Sequence, residues 1–319
     1  MNIPTVFIRF KEWWLLVGMV LLATAITNGI YIQPANLTDM LRSIAPIGVM
    51  AMAMTFVILA AGIDLSVGSM LALASVGTAV LLVDVAPDWP PALAMCSAVV
   101  ASLVIGGIIG ALQGGLIARL EIQPFIITLA GMIGVRGLAK LWSQNNRIGL
   151  GIDRDSAAHA FGEAFSSKPV MIGLLVVVAL LFHIVLTYTV FGRNVRAVGD
   201  NEQAARYAGL PVHRVKLMVY ALSGMMAGLA GLMLCARTRN GDANLGVAYE
   251  LDAIAMVVIG GTSLAGGRGT VGGTVLGALI MGTVINVLGL KNIDANVQFI
   301  LKAVIIVVAV ALQRSQKKN

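Results

Sequence analysis

The chain has 319 residues, of which 58% are hydrophobic and only 12% charged, with a formal net charge of +7. Soluble domains run at about 45–50% apolar and about 25% charged, so too little polar surface exists here to coat a water-soluble body. The surplus of Lys and Arg forms no basic stripe interleaved with aromatics, which argues against a nucleic-acid binder and leaves membrane orientation as its meaning.

The expected fold class is all-α: a polytopic membrane protein of about ten transmembrane helices with broken or re-entrant segments, in one domain over 1–319. Apolar runs place the spans at about 13–32, 41–61, 65–83, 91–118, 124–142, 169–190, 215–236, 251–266, 270–289 and 296–312. The first run, after Arg9 and Lys11, imitates a secretory signal as far as Ala23-Thr24-Ala25. Low polarity continues to Ile32, however, which fits a retained span. The stretch 41–83 is too long for one crossing, because about 43 residues at ~1.5 Å each reach about 65 Å, twice a ~30 Å core.

Within that stretch, "AAGIDLSVGS" holds Asp64, the one formally charged residue between Ala45 and Val83. A bare charge in hydrocarbon costs at least a few kcal/mol. Gly62 can close one helix in the left-handed conformation, and Asp64 can then cap the next by accepting from the N–H of Ser66 or Val67. Such a break survives in a membrane only when buried in protein or facing a water-filled cavity. The competing reading makes Asp64 the cation- or substrate-coordinating carboxylate of a stand-alone ion-coupled carrier.

Further along, Gly106-x-x-x-Gly110-x-x-x-Gly114, Gly224-x-x-x-Gly228 and Gly273-x-x-x-Gly277 let helix backbones approach closely, which predicts a tightly packed bundle rather than a dimer seam. Two hydrophilic connections stand out, 143–168 as the longest outer loop and 191–214 as the longest inner one. The inner loop carries helix punctuation. Asp200 can N-cap, Gln203 completes a capping-box-like pair, Gly209 suits the left-handed stop and Pro211 forbids continuation. A helix of about two turns needs tertiary or partner contacts to persist, so it either lies on its own protein or meets a cytoplasmic partner. Glu250 and Asp252 open the span after 248; they suit the positive helix end and could also meet an external docking partner.

With one end inside, twelve Lys and Arg fall on the inner segments against seven on the outer, which puts both termini in the cytoplasm. Cys96 and Cys235 lie in apolar segments and imply no disulfide framework. His159, His183 and His213 have no metal-ligand spacing, and no nucleophile–base constellation is present, so the chain is expected to bind no metal and to catalyse no reaction. "GRGTVG", 267–272, matches a dinucleotide fingerprint only formally, since neither a preceding strand nor a following acidic residue supports it. No phosphate-binding G-x-x-x-x-G-K-[ST] loop occurs, so any ATP must be bound by another chain.

Five ordered blocks then become recognisable: "AAGIDLSVGS" (60–69), "IQPFIITLAGM" (122–132), "GRNVRAVGDNEQAARYAGL" (192–210), "YALSGMMAGLAG" (220–231) and "YELDAIAMVVIGGTSLAGGRGTVGG" (249–273). Together they resemble the permease subunits of ribose-type monosaccharide ABC importers over essentially the whole chain. The resemblance implies a non-catalytic permease in the bacterial inner membrane, paired with a second copy or a sister permease in the lipid bilayer. It implies two further partners: an ATPase subunit that holds ATP and Mg, and an external sugar-binding protein. It makes the inner helix the coupling element, with Gly199, Asp200, Asn201, Glu202, Ala204, Ala205 and Gly209 against the ATPase. Asp64, Ser66, Phe125 and Thr128 are then expected along the translocation path or its gate, and Glu250 and Asp252 at external docking. Two departures are visible: Asp200-Asn201 stands where the family often has Gly-Asn, and Asp39 where Asn is common.

Overall fold

The computed structural model describes residues 11–151 and 156–315. In chain order its helices are α1 (Lys11–Ile26), α2 (Pro34–Leu59), α3 (Val67–Val80, prolonged by a π-helical turn Leu81–Val85), α4 (Pro91–Leu120), α5 (Pro124–Trp142) and α6 (Ala157–Ser166). There follow α7 (Lys168–Tyr188), α8 (Val190–Asp200), α9 (Glu202–Tyr207), α10 (Val212–Thr238), α11 (Tyr249–Ile259), α12 (Val271–Leu290) and α13 (Ala295–Ser315). Seven helices among the described residues are long and apolar enough to cross a membrane: α2, α3 with its π turn, α4, α5, α7, α10 and α12. The segments α1, α11 and α13 are the remaining ones of the roughly ten expected. A two-residue ribbon, β1 (Ile148–Gly149) with β2 (Asn240–Gly241), is the one strand pairing among the described residues. Arg9, Arg154, Lys317 and Lys318, which entered the charge count, lie outside the described residues.

Proline sets several boundaries. Pro34, Pro91 and Pro124 occupy first-turn positions, where a missing N–H costs nothing. The second span therefore starts at Pro34 rather than near 41. The first ends at Ile26, ahead of the left-handed Asn28 and Gly29, rather than near 32.

Packing follows from side-chain size. Every residue of α2 from Ile44 to Leu59 is buried, so its apolar residues show no single stripe because every face is covered. Helix α4 carries two stripes at four-residue spacing. Ala94, Ala98, Ser102, Gly106, Gly110 and Gly114 are buried, while Val100, Val104, Ile108, Leu112 and Leu116 are exposed. The small stripe meets α10. A Cβ on Gly106 would strike the carbonyl of Gly224, one on Gly110 that of Tyr220, and one on Gly228 that of Ser102. The glycine spacings thus serve internal packing, where close approach replaces the hydrophobic drive that lipid abolishes. Buried hydroxyl pairs make further links: Thr55 with Thr274 at 2.7 Å, Thr78 with Ser102 at 3.0 Å, and Tyr31, in the turn between α1 and α2, with Thr283 at 2.7 Å.

The eighth expected span does not form as one continuous helix. Helix α11 has only 11 residues, about 16 Å, half of a ~30 Å core. The irregular residues before it pass back along α3: Gly241 sits against Ser75, Val76 and Ala79, and Gly246 against Gly68 and Leu71. The start of α11 is thereby carried down to the level of the first turn of α3. Its end at Gly260–Gly261, with φ +86° at Gly261, replaces the continuous span expected to 266.

Candidate functional site

Two irregular stretches, 60–66 and 239–248, converge on the first turn of α3. Helix α2 stops with Ala61 left-handed at φ +58°, its N–H bonded to Ile58 O (3.0 Å) and that of Gly62 to Val57 O (2.9 Å). The expected left-handed residue, Gly62, is thus one place off. Its lack of a side chain serves close approach instead, because a Cβ there would collide with the Tyr220 hydroxyl.

Asp64 is 0% exposed. Its Oδ1 accepts from the Ser66 N–H (2.9 Å) and the Ser66 hydroxyl (2.6 Å), and its Oδ2 from the Ser223 hydroxyl (2.7 Å). The Ser66 N–H bond is the one expected. The residue that directly precedes α3 is Ser66, however, so Asp64 closes an Asx turn just ahead of the cap position. Ser66 Oγ also lies 2.9 Å from the side-chain oxygen of Gln113 on α4. One hydroxyl proton cannot serve both acceptors, and turning the Gln113 amide over lets it donate to Ser66 and satisfies the set. No Lys or Arg stands within ion-pair distance of Asp64 among the described residues.

Two carbonyls of the break also find partners in the bundle. Ile63 O accepts from the hydroxyls of Thr128 (3.2 Å) and Tyr220 (3.4 Å), and Leu59 O from the N–H of Gly267 (3.0 Å). A non-helical stretch at membrane depth requires such internal partners. Ser223 lies about 16 Å along α10 from its first residue, so these groups are deep in the bundle.

The second stretch is held from α5. Arg136 donates to Ala243 O (2.7 Å) and Leu245 O (2.6 Å), and Asp242 accepts from Asn244 N–H (2.8 Å) and Arg147 Nε (2.9 Å). The Glu250 carboxylate sits against Gly68 in the first turn of α3. Asp252 is 3% exposed and accepts from Lys302 Nζ of α13 at 2.7 Å. Asp252 is thus buried and Glu250 half-buried at the start of α11.

The inner segment is two helices. The apolar side of α8, with Gly192, Val195, Val198 and Gly199, is buried against the bundle. A side chain on Gly199 would strike Leu59 O, and Gly267 packs against Asp200. The end of α8 thus rests on the carbonyl that ends α2 and on the loop that follows α11. Asp200 is the last residue of α8 and not the expected cap. Asn201 caps α9, accepting from Ala204 N–H at 2.9 Å, because the N–H of Asn201 still continues the α8 ladder to Ala197 O. The C-terminal expectation holds: Gly209 is left-handed at φ +77°, with Gly209 N–H to Arg206 O and Leu210 N–H to Ala205 O. Glu202 accepts from Lys216 (2.7 Å) and Arg206 (2.9 Å), and Arg206 reaches Glu121 at the end of α4 (2.5 Å). Burial alone would lift the Glu202 carboxyl; these two partners outweigh it and hold it below the ordinary glutamate value. Ala205 faces inward, whereas Gln203, Ala204, Ala208 and above all Tyr207, 92% exposed, face away.

Of the expected path residues, Asp64, Ser66 and Thr128 come together at the break, whereas Phe125 lies at the start of α5 with half its surface exposed. Sequence reading missed Ser223, which donates to Asp64, Gln113, which pairs with the Ser66 hydroxyl, and Tyr220, which donates to Ile63 O, and it missed Tyr207. It also missed Arg42, which with Arg237 lines a cavity of about 440 Å³ at the opposite end of the bundle from α9. Among the described residues no group of three or more His, Cys, Asp or Glu is arranged to hold a metal ion.

Residues 36–310 match the family described as branched-chain amino acid transport system / permease component. The chain belongs to that family. It is 39% identical to the ribose import permease protein RbsC of Bacillus subtilis over 299 residues, covering 93% of this chain and 90% of the relative. It is 38% identical to RbsC of Escherichia coli K12 over 287 residues, covering 88% and 86%. It is 32% identical to the xylose transport system permease protein XylH of Escherichia coli K12 over 363 aligned positions, covering 95% and 91%. No solved structure matches. The chain is a multi-pass sugar-permease homologue of the ribose type, as its sequence blocks imply.

Proposed function

We propose that this chain is the membrane-spanning subunit of an ATP-driven importer that moves a monosaccharide delivered by an external binding protein. The observation that carries the reading is α9. It presents Tyr207 and its small neighbours away from the bundle, while α8 roots it on the Leu59 carbonyl beside both irregular stretches. A large aromatic so exposed at the tip of a rigid capped helix has the character of an interface anchor. Its occupant in this reading is an ATPase subunit carrying ATP and Mg, on the cytoplasmic side. The contacting residues in this reading are Asp200, Asn201, Glu202, Ala204 and Gly209, together with Tyr207, while the buried Gly199 and Ala205 seat the two helices on the bundle. A second copy or a sister permease completes the path through the bacterial inner membrane, with the chain's termini on the ATPase side.

Breaking the cap geometry with Gly209→Pro, displacing α9 with Ala205→Arg, or removing the anchor with Tyr207→Ala should uncouple ATP hydrolysis from uptake in proteoliposomes while the permease still inserts. Unchanged sugar uptake in all three variants would sink the assignment. The ion-coupled carrier reading draws no support from Asp64, whose oxygens are taken by Ser66 and Ser223 and which has no Lys or Arg within ion-pair distance among the described residues.

A further inference from the structure

The cavity at the other end of the bundle lies between the first third of α2, the last turn of α10, the second half of α12 and the start of α13. Its floor is apolar, with Met40, Ile44 and Ile285, and its volume of about 440 Å³ lies within the range that takes small ligands. Two guanidiniums line it. Arg237 is held in place, donating Nη1 to Ser43 O (3.1 Å) and Nη2 to Ser43 Oγ (3.2 Å). Arg42 makes no hydrogen bond or ion pair among the described residues, and its Nε is buried without a partner. The one lining carboxylate, Asp39, is engaged from outside the cavity by Lys168 at 2.9 Å and so does not neutralise either arginine. The neutral polar groups are partly occupied as well: Asn286 exchanges amide bonds with Asn36 at 3.0 Å, and Gln298 donates to Ile293 O at 2.9 Å.

Two like charges that share a partly apolar concavity repel one another, and an anion placed between them relieves that repulsion with charge-assisted bonds. The planar guanidinium fork matches a carboxylate or a phosphate and gains far less from a neutral hydroxyl. We infer that this cavity receives a monosaccharide bearing an anionic group, so that the cargo is a sugar acid or a sugar phosphate rather than a neutral aldose. The inference rests on the import reading above, in which this end of the bundle faces outside.

The test uses the whole transporter, permease with ATPase and binding protein, in proteoliposomes with labelled gluconate, ribose 5-phosphate and ribose. ATP-dependent uptake of gluconate or of ribose 5-phosphate is expected, the two probes separating carboxylate from phosphate. Arg42→Gln and Arg237→Gln should each lower it at least about tenfold, and Arg42→Lys should restore part of it, which separates lost charge from lost fold. Uptake of ribose but of neither anion overturns the inference and leaves the import reading intact. So does uptake of an anion that both Gln variants carry at the wild-type rate. Absence of ATP-dependent uptake of any of the three overturns the import reading, and this inference with it.

Discussion

At the scale of single residues, Asp64 shows how a carboxylate can stand in a membrane interior without a cation. Three donors from Ser66 and Ser223 surround it, and the bonds to Ser66 also shape the turn that starts α3. Truncation to Ala strands these donors, and an unsatisfied buried group costs about 1–3 kcal/mol. Asp64→Ala should therefore lose at least about 2 kcal/mol of stability, seen as a lower thermal midpoint in detergent. Asp64→Asn keeps the shape and one acceptor, and should retain most ATP-driven uptake. Lost uptake with an unchanged midpoint would assign the carboxylate to transport itself. Glu202 poses a different residue-scale case. Its carboxyl is held below the ordinary value of 4.5 by Lys216 and Arg206, so its contribution to docking α9 is complete above that value. That contribution is lost as pH falls through the lowered one. Hydrogen exchange over 201–210 should be flat from about pH 5.5 upward, after correction for intrinsic rates, and should quicken only below about pH 4.5.

At the scale of elements, the seam between α4 and α10 is the tightest join, built from backbone against backbone. Gly224→Val would drive two methyl groups into the Gly106 carbonyl, and neither helix can retreat without opening the Asp64 break beside Ser223. The variant should insert yet migrate as a less stable, protease-sensitive species, measured by limited proteolysis in detergent; native-like resistance would contradict the seam. This join was legible beforehand because four-residue glycine spacing is a local signal, as were the Gly209 stop and the long apolar runs. The misplacements were also local and small. Ala61 rather than Gly62 turns left-handed, and Asn201 rather than Asp200 caps, because competing residues stood side by side and tertiary contacts chose between them. The interruption of the eighth expected span was illegible for a deeper reason. Residues 239–248 are as polar as an outer loop, and two of their carbonyls, those of Ala243 and Leu245, are held by Arg136, from a helix more than a hundred positions earlier.

At the scale of the whole molecule, the two irregular stretches, α8 and the loop after α11 form one connected body, joined where Gly267 N–H meets Leu59 O beneath Gly199. The end of α8, which leads into α9, is thereby in direct contact with the end of α2 and with the loop before α12. Signals for this arrangement were absent from any single window of sequence, since Gln113, Tyr220 and Ser223 find Ser66, Ile63 and Asp64 respectively only through the folded bundle. The Leu59 joint has a further consequence in time. Its acceptor is made about two hundred residues before its donor, which at about 5–20 residues per second is a wait of about 10–40 s. For that interval the end of α2 must be sheltered by lipid headgroups, water or the insertion machinery. The last spans to be synthesised therefore close a junction opened by the second, and a chain stopped short of Gly267 would carry an open carbonyl end that marks it as unfinished.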